Sequence, residues 1–252
     1  MSKKKTKVLW CADLVAMTGF ARVSGGILPR LRDDFEIVCM ASNWWGDPCD
    51  EQSLYRMYPA SNRHQTAPFG EQRIREIVEK EQPDIVFSLN DPWIVSEQYK
   101  QIQDLHKAGK FKFVGYLTMD SMNWVGGIDP HINDWDALVA FTEFGAHEFV
   151  KGGVTKPIAV IPHGLDVKDF YPMDQGEARK KLGLKEDIFI CLNGNRNQFR
   201  KRQDITIAAF AKFAVGRPNA QLYMHMGLKD QGWDLMSLFG REMVKNGLDP
   251  NG

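Results

Sequence analysis

The chain has 252 residues, 43% hydrophobic and 25% charged, with 32 Lys plus Arg against 32 Asp plus Glu and a formal net charge of zero. That balance suits a globular protein with one large core or two smaller ones, and it argues against any general attraction to nucleic acid or a membrane surface. The basic start Met1-Ser2-Lys3-Lys4-Lys5 leads into an apolar run, Val8 to Ala12, too short for a leader or a membrane span, and Cys11, Cys39, Cys49 and Cys191 form no C-x-x-C pair, so a reducing cytoplasmic setting is expected.

Short apolar runs rich in β-branched residues alternate with longer amphipathic stretches. A strand is expected over Lys7 to Ala12, a helix over Arg22 to Arg32 and a strand over Phe35 to Ala41. An irregular loop with Trp44 and Trp45 follows. Next come a helix from Gln72 to Glu81, stopped by Pro83, and a strand from Asp84 to Leu89. One helix is expected over Ser96 to Lys107, then strands over Phe111 to Leu117 and Ala137 to Thr142. A short helix, Glu143 to Lys151, and a strand, Ile158 to Ile161, complete the first half. Such alternation implies a parallel sheet with helices on both faces. Runs such as IVFSL and FVGYL are apolar throughout, as strands buried on both sides are, and Cys11, Cys39 and Cys191 are expected to be buried thiols within them.

Residues 162–176 read PHGLDVKDFYPMDQG, with turn formers and no period. The domain boundary belongs there, giving domains 1–170 and 171–252. Alternation then restarts with a helix over Glu177 to Leu182, a strand over Ile188 to Leu192 and a helix over Gln203 to Val215. A strand over Gln221 to His225 and a helix over Trp233 to Lys245 follow. Two strands are fewer than a doubly wound domain uses, so the second domain reads as incomplete.

Ligands of open parallel sheets gather at the carboxyl ends of the strands. Those ends carry Asp13 with the 16–20 loop, Asn90-Asp91-Pro92-Trp93, Thr118-Met119-Asp120-Ser121, Thr142-Glu143, Pro162-His163-Gly164 and Asn193-Gly194-Asn195-Arg196. The segment Asn193–Lys201 is the most informative. It follows a strand, precedes a helix, and joins Gly194 and several amides to Arg196 and Arg200-Lys201-Arg202. A glycine-containing turn into a helix suits an anion. Arg offers bidentate contact to phosphate oxygens and Lys a compact second charge, as a pyrophosphate leaving group needs.

On these residues the chain resembles family-4 retaining glycosyltransferases of the GT-B fold. The resemblance runs over Thr18-Gly19-Phe20-Ala21-Arg22-Val23, Pro83-Asp84-Ile85-Val86-Phe87 and the stretch Asp136 to Gly145. Its strongest parts are IPHGLDVKDFYP at 161–172 and NGNRNQFRKRQD at 193–204. The fold it implies is α/β, GT-B type, with two Rossmann-like domains, the C-terminal one incomplete: an acceptor-side domain, then a partial nucleotide-sugar donor domain. By position, Arg196 and Lys201 match the Arg and Lys that bind the donor diphosphate, with Gly194 and Asn195 beside them. Gly19 lies in the loop that in such enzymes approaches the donor phosphates. Asp120 stands where many members place a histidine that positions acceptor and donor sugar, and is the catalytic candidate. His163 and Gly164 fall on the hinge side. The implied substrates are a UDP- or GDP-linked sugar and a glycan, lipid, protein or small-molecule acceptor. No permanently bound cofactor, no metal and no nucleic-acid partner are expected. The family's E-x7-E element normally lies further downstream. A truncated or fragmentary transferase, inactive alone and prone to self-association through the incomplete domain, is therefore expected.

Two other readings compete. A non-catalytic or fragmentary sugar/nucleotide-binding module fits the short second domain. A metal-dependent GT-A-like transferase could use the D-x-D of Asp134 and Asp136, although this pair enters a strand, at the end of the sheet opposite the ligand edge. There is no G-x-G-x-x-G after the first strand and no P-loop. His147-Glu148 reads as a surface pair, and Trp44, Trp45 and Trp93 read equally as sugar-stacking or core residues.

Overall fold

Thr6–Asp13 alternates side chains between two apolar layers, and that alternation makes it β1: Leu9 and Cys11 enter one core, Trp10 and Ala12 the other. The computed structural model describes residues 4–61, 67–124 and 131–250; the Met1–Lys3 start and the last two residues lie outside them. The chain divides into two compact units, Met1–Phe170 and Tyr171–Gly252.

In the first unit, β1 is joined by β2 (Phe35–Ser42), β3 (Arg56–Pro59), β4 (Ile85–Asn90), β5 (Lys112–Leu117), β6 (Ala137–Ala140) and β7 (Ile158–Val160). All pairs are parallel, in the order β3-β2-β1-β4-β5-β6-β7. The order reverses at β1, the doubly wound arrangement whose ligand edge is the carboxyl end of the strands. Helix α1 (Gly19–Leu31) covers one face through Val23, Ile27 and Leu28. Helices α2 (Ile74–Glu81), α3 (Pro92–Lys100) and α5 (Glu143–Lys151) supply Ile74, Ile77, Tyr99 and Phe149 to the other. Both faces are therefore dry.

Three sequence expectations need correction here. The helix expected over Ser96 to Lys107 is two: α3 starts at Pro92, whose fixed φ suits a first helical position, and α4 runs Gln103–Lys107. Between them Ile102 leaves helical geometry to bury its side chain completely, and the freed Gln101 carbonyl accepts from Arg75 at 3.1 Å. Strand β3 was not expected at all, because Arg56-Met57-Tyr58-Pro59 shows no alternation. Glu148 is no surface residue: it is buried and accepts the Asn123 N–H at 2.6 Å.

The second unit has two parallel strands, β8 (Phe189–Gly194) and β9 (Ala220–His225), with α6 (Gln175–Lys181), α7 (Gln203–Ala214) and α8 (Leu235–Lys245). Cys191, Ala220 and Leu222 face α7 and α8, where Phe210, Ala211 and Met243 are buried. Cys191 is only half-buried, unlike Cys11 and Cys39, because its sheet is small. The register partners Leu192 and Tyr223 lie on the opposite face and are 67% and 55% exposed. No helix among the described residues is long and apolar enough to cross a membrane.

Candidate phosphate-binding site

At the carboxyl edge of the first unit, Asp13 closes β1 as a buried carboxylate. It accepts the Thr18 hydroxyl at 2.5 Å and the Asn43 amide at 2.8 Å. Thr18 in turn caps α1 by accepting the Ala21 N–H, so Gly19 is fixed as the first helical residue. A concavity of about 660 Å³ opens there, lined by Thr18, Gly19, Arg22, Leu54 and Tyr55 among others. Beyond β4 and β5, the Thr118 hydroxyl donates to Asp91 at 2.6 Å, and Asp120 stands exposed on the next turn. Beyond β7, the Tyr116 hydroxyl donates to the Ile161 carbonyl, and the ring of His163 rests on Tyr116 and Phe141. His163 as a whole stays exposed, yet the loss of water on that ring face pushes its imidazole below the usual range. Gly19, Gly164 and Gly194 each border open space, with nothing within 4 Å of where a Cβ would stand.

In the second unit β8 extends two residues further than the sequence suggests, through Asn193 and Gly194. The loop beyond it is held by side-chain amides, of which Asn197 and Gln203 are buried. The Asn193 amide donates to Thr206 on α7 at 3.0 Å, and the Asn195 amide donates to Asn193 at 3.0 Å. Asn197 is fully buried: its amide donates to the Leu228 and Trp233 carbonyls, and its carbonyl accepts the Trp233 N–H. Gln203, also buried, donates to the Arg196 carbonyl at 2.7 Å. The backbone between Asn193 and Gln203 is therefore held before any ligand arrives.

On this scaffold stand the cations. Arg196 is 65% exposed and makes a two-bond ion pair with Asp230, Nε to Oδ2 at 3.1 Å and Nη2 to Oδ1 at 3.0 Å. Lys201 ends a short 3-10 turn, Phe199–Lys201, and is half-buried. Arg202 follows in the left-handed region at φ 53°, with its guanidinium on Asp204. A non-glycine residue held there costs on the order of 1–3 kcal/mol and persists where its surroundings over-determine it. Arg196 and Arg202 thus each have a carboxylate partner. Asp230, Asn197 and Gln203 were missed from sequence. Asp230 lies in the loop after β9, and its partner is 34 residues away in sequence.

Asp134 and Asp136 enter β6, far along the strand from its ligand end. Lys107 and His131 neighbour Asp134, while Lys112, His106 and the Phe113 N–H hold Asp136. Burial would raise the Asp136 carboxyl, but these donors outweigh it and hold it at about 2. Carboxylates committed to basic partners in this way are poor hard-metal ligands, which speaks against a D-x-D metal site here. Trp44 is core, its indole N–H donating to the Asp47 carbonyl, whereas Trp45 and Trp93 are exposed.

A parallel α/β layer in each unit, with a cationic strand–loop–helix closing β8, is the GT-B type of fold that a large class of glycosyltransferases uses. Among solved structures, the chain is similar to OtsA in its apo form, with a TM-score of 0.62 and 13% identity over 96% of this chain and 70% of that one. It is similar also to a glycosyltransferase from Rickettsia africae, at 0.61 and 14%, covering 98% and 66%. A putative UDP-N-acetylglucosamine 2-epimerase from Listeria monocytogenes matches at 0.56 and 13%, covering 95% and 66%, so the fold hosts more than one chemistry. In sequence the chain is similar to D-inositol 3-phosphate glycosyltransferases. That of Kribbella flavida is 34% identical over 85 residues, 33% of this chain and 20% of the relative. That of Actinosynnema mirum is 28% identical over 126 residues, 47% and 30%. The matched part thus spans between 20% and 30% of the length of these two relatives. No family model matches the chain.

Proposed function

We propose that the chain is the phosphate-gripping part of a glycosyltransferase that moves a sugar from a UDP- or GDP-linked donor to an acceptor hydroxyl on a glycan, lipid, protein or small molecule. The observation that carries this reading is the pre-built loop after β8, with Arg196 and Lys201 on a scaffold of buried amides. As the bond from the anomeric carbon to the diphosphate oxygen breaks, negative charge collects on the leaving diphosphate. Fixed cations at that position stabilise it more than they stabilise the bound donor. Lys201 supplies a compact charge without a metal ion, and Arg196 supplies a planar fork. Retention at the anomeric carbon, the donor-phosphate role of Gly19, the catalytic role of Asp120 and the hinge position of His163 and Gly164 rest on the family resemblance. Asp120 would act on the acceptor side, in the first unit. Four cysteines without disulfide partners support a cytoplasmic setting.

Calorimetry with UDP and GDP tests the reading. One of the two binds the parent chain, and Lys201→Ala weakens it by on the order of 1.5–3 kcal/mol, the range for a charged hydrogen bond. A folded parent that binds neither nucleotide, or a Lys201→Ala variant that binds like the parent, would sink it.

A further inference from the structure

We infer that Asp230 is the positioning residue for Arg196, and that it turns the end-on edge of the guanidinium toward the donor diphosphate; this rests on the donor-site reading above. A guanidinium has five N–H donors arranged on three edges. Asp230 takes the edge made by Nε and one Nη2 proton. The edge made by Nη1 and the second Nη2 proton is not used by that pair, and it can take two phosphate oxygens in parallel.

Asp230 is itself held. Its side chain is 19% exposed against 65% for that of Arg196, and its Oδ1 accepts the Gln231 N–H at 2.8 Å. The loop carrying it is clamped to the Arg196 loop by the three Asn197 hydrogen bonds and by the edge-on contact of Phe199 with Trp233, ring centres 5.1 Å apart. Gly232 belongs to the same clamp, because a Cβ there would overlap Asn197. The pair therefore joins two backbones that are already fixed to each other. An isolated surface ion pair adds little stability. What this one does is take a long, exposed side chain out of its rotamer ensemble before the ligand arrives. A carboxylate beside an anion site also repels that anion, and the geometry predicts that orientation outweighs the repulsion.

The test uses the nucleoside diphosphate that the parent binds, by calorimetry, with Asp230→Asn, Asp230→Glu, Arg196→Lys and the Arg196→Lys/Asp230→Asn double variant. Asp230→Asn should weaken binding roughly two- to tenfold, the range for releasing one flexible side chain, with an unchanged melting temperature. Asp230→Glu should restore part of the loss. In the Arg196→Lys background, which has no fork to orient, Asp230→Asn should cause no loss of binding. Equal or tighter binding by Asp230→Asn would overturn the inference, as would the same loss in both backgrounds. A parent that binds UDP or GDP while the Asp230 arms stay flat refutes this inference alone, whereas a folded parent that binds neither refutes the donor site and the inference with it.

Discussion

A single hydrogen atom decides the shape of the loop after β9. Gly232 lies against the side chain and carbonyl of Asn197, and a methyl group there would overlap both. Gly232→Ala should therefore destabilise the second unit by about 1–3 kcal/mol, the range for overpacking, and, on the donor-site proposal, weaken diphosphate binding as the Arg196 loop shifts. Urea denaturation and calorimetry read the two effects, and a variant as stable as the parent would show that the loop yields without cost. At this scale the sequence was legible where chemistry is local. Arg196 and Lys201 announce themselves by charge, turn formers and strand context. Asp230 does not, since its partner is 34 residues away and only the β8–β9 pairing brings the two loops together. Asn197 reads as one amide among several, and burial alone makes it the anchor.

At the scale of elements, a hydrogen-bonded chain ties α3, α4 and the start of β6 together. The Tyr99 hydroxyl and Nδ1 of His106 are 2.9 Å apart, and Nε2 of His106 lies 2.7 Å from Asp136, which also accepts the Phe113 N–H. The Asp136 carboxyl is held at about 2, below its unfolded value near 3.9. Its contribution is therefore complete above about pH 4 and is lost as pH falls toward 2. Asp136→Asn should cost on the order of 1.5–3 kcal/mol at neutral pH and flatten the acid limb of stability below pH 4; an unchanged acid limb would mean that other carboxylates set it. This chain also explains why the helical stretch from Ser96 could not be read as two pieces. Its periodicity continues through Gln101, and the break comes from tertiary partners: the buried seat of Ile102 and the Arg75 contact to the Gln101 carbonyl. Strand β3 was illegible for a similar reason, being a strand only because β2 offers it an edge.

For the whole molecule, the two compact units meet in sequence at Phe170 and Tyr171, and every residue from 161 to 174 is exposed. Exposed backbone with few partners opens most easily to a protease. Lys168 is the only Lys or Arg between 162 and 174, so brief trypsin treatment should cut there first and release pieces matching the two units by mass spectrometry. A first cut within β1 to β7 would contradict this. The turn-rich stretch 162–176 has no period, and a stretch without period has no face to bury.

The two sheets also differ in how they end. The larger one stops at β3, four residues closing on Pro59, and at β7, only three residues long. Short borders, one of them closing on a proline, offer little template for another chain. Each strand of the smaller sheet is six residues long and has one neighbour among the described residues, beside the exposed Leu192 and Tyr223. Any strand-to-strand growth between copies would therefore start at 189–194 or 220–225, and the ordered core of an aggregate would be made of the strands that lead into the Arg196 and Asp230 loops.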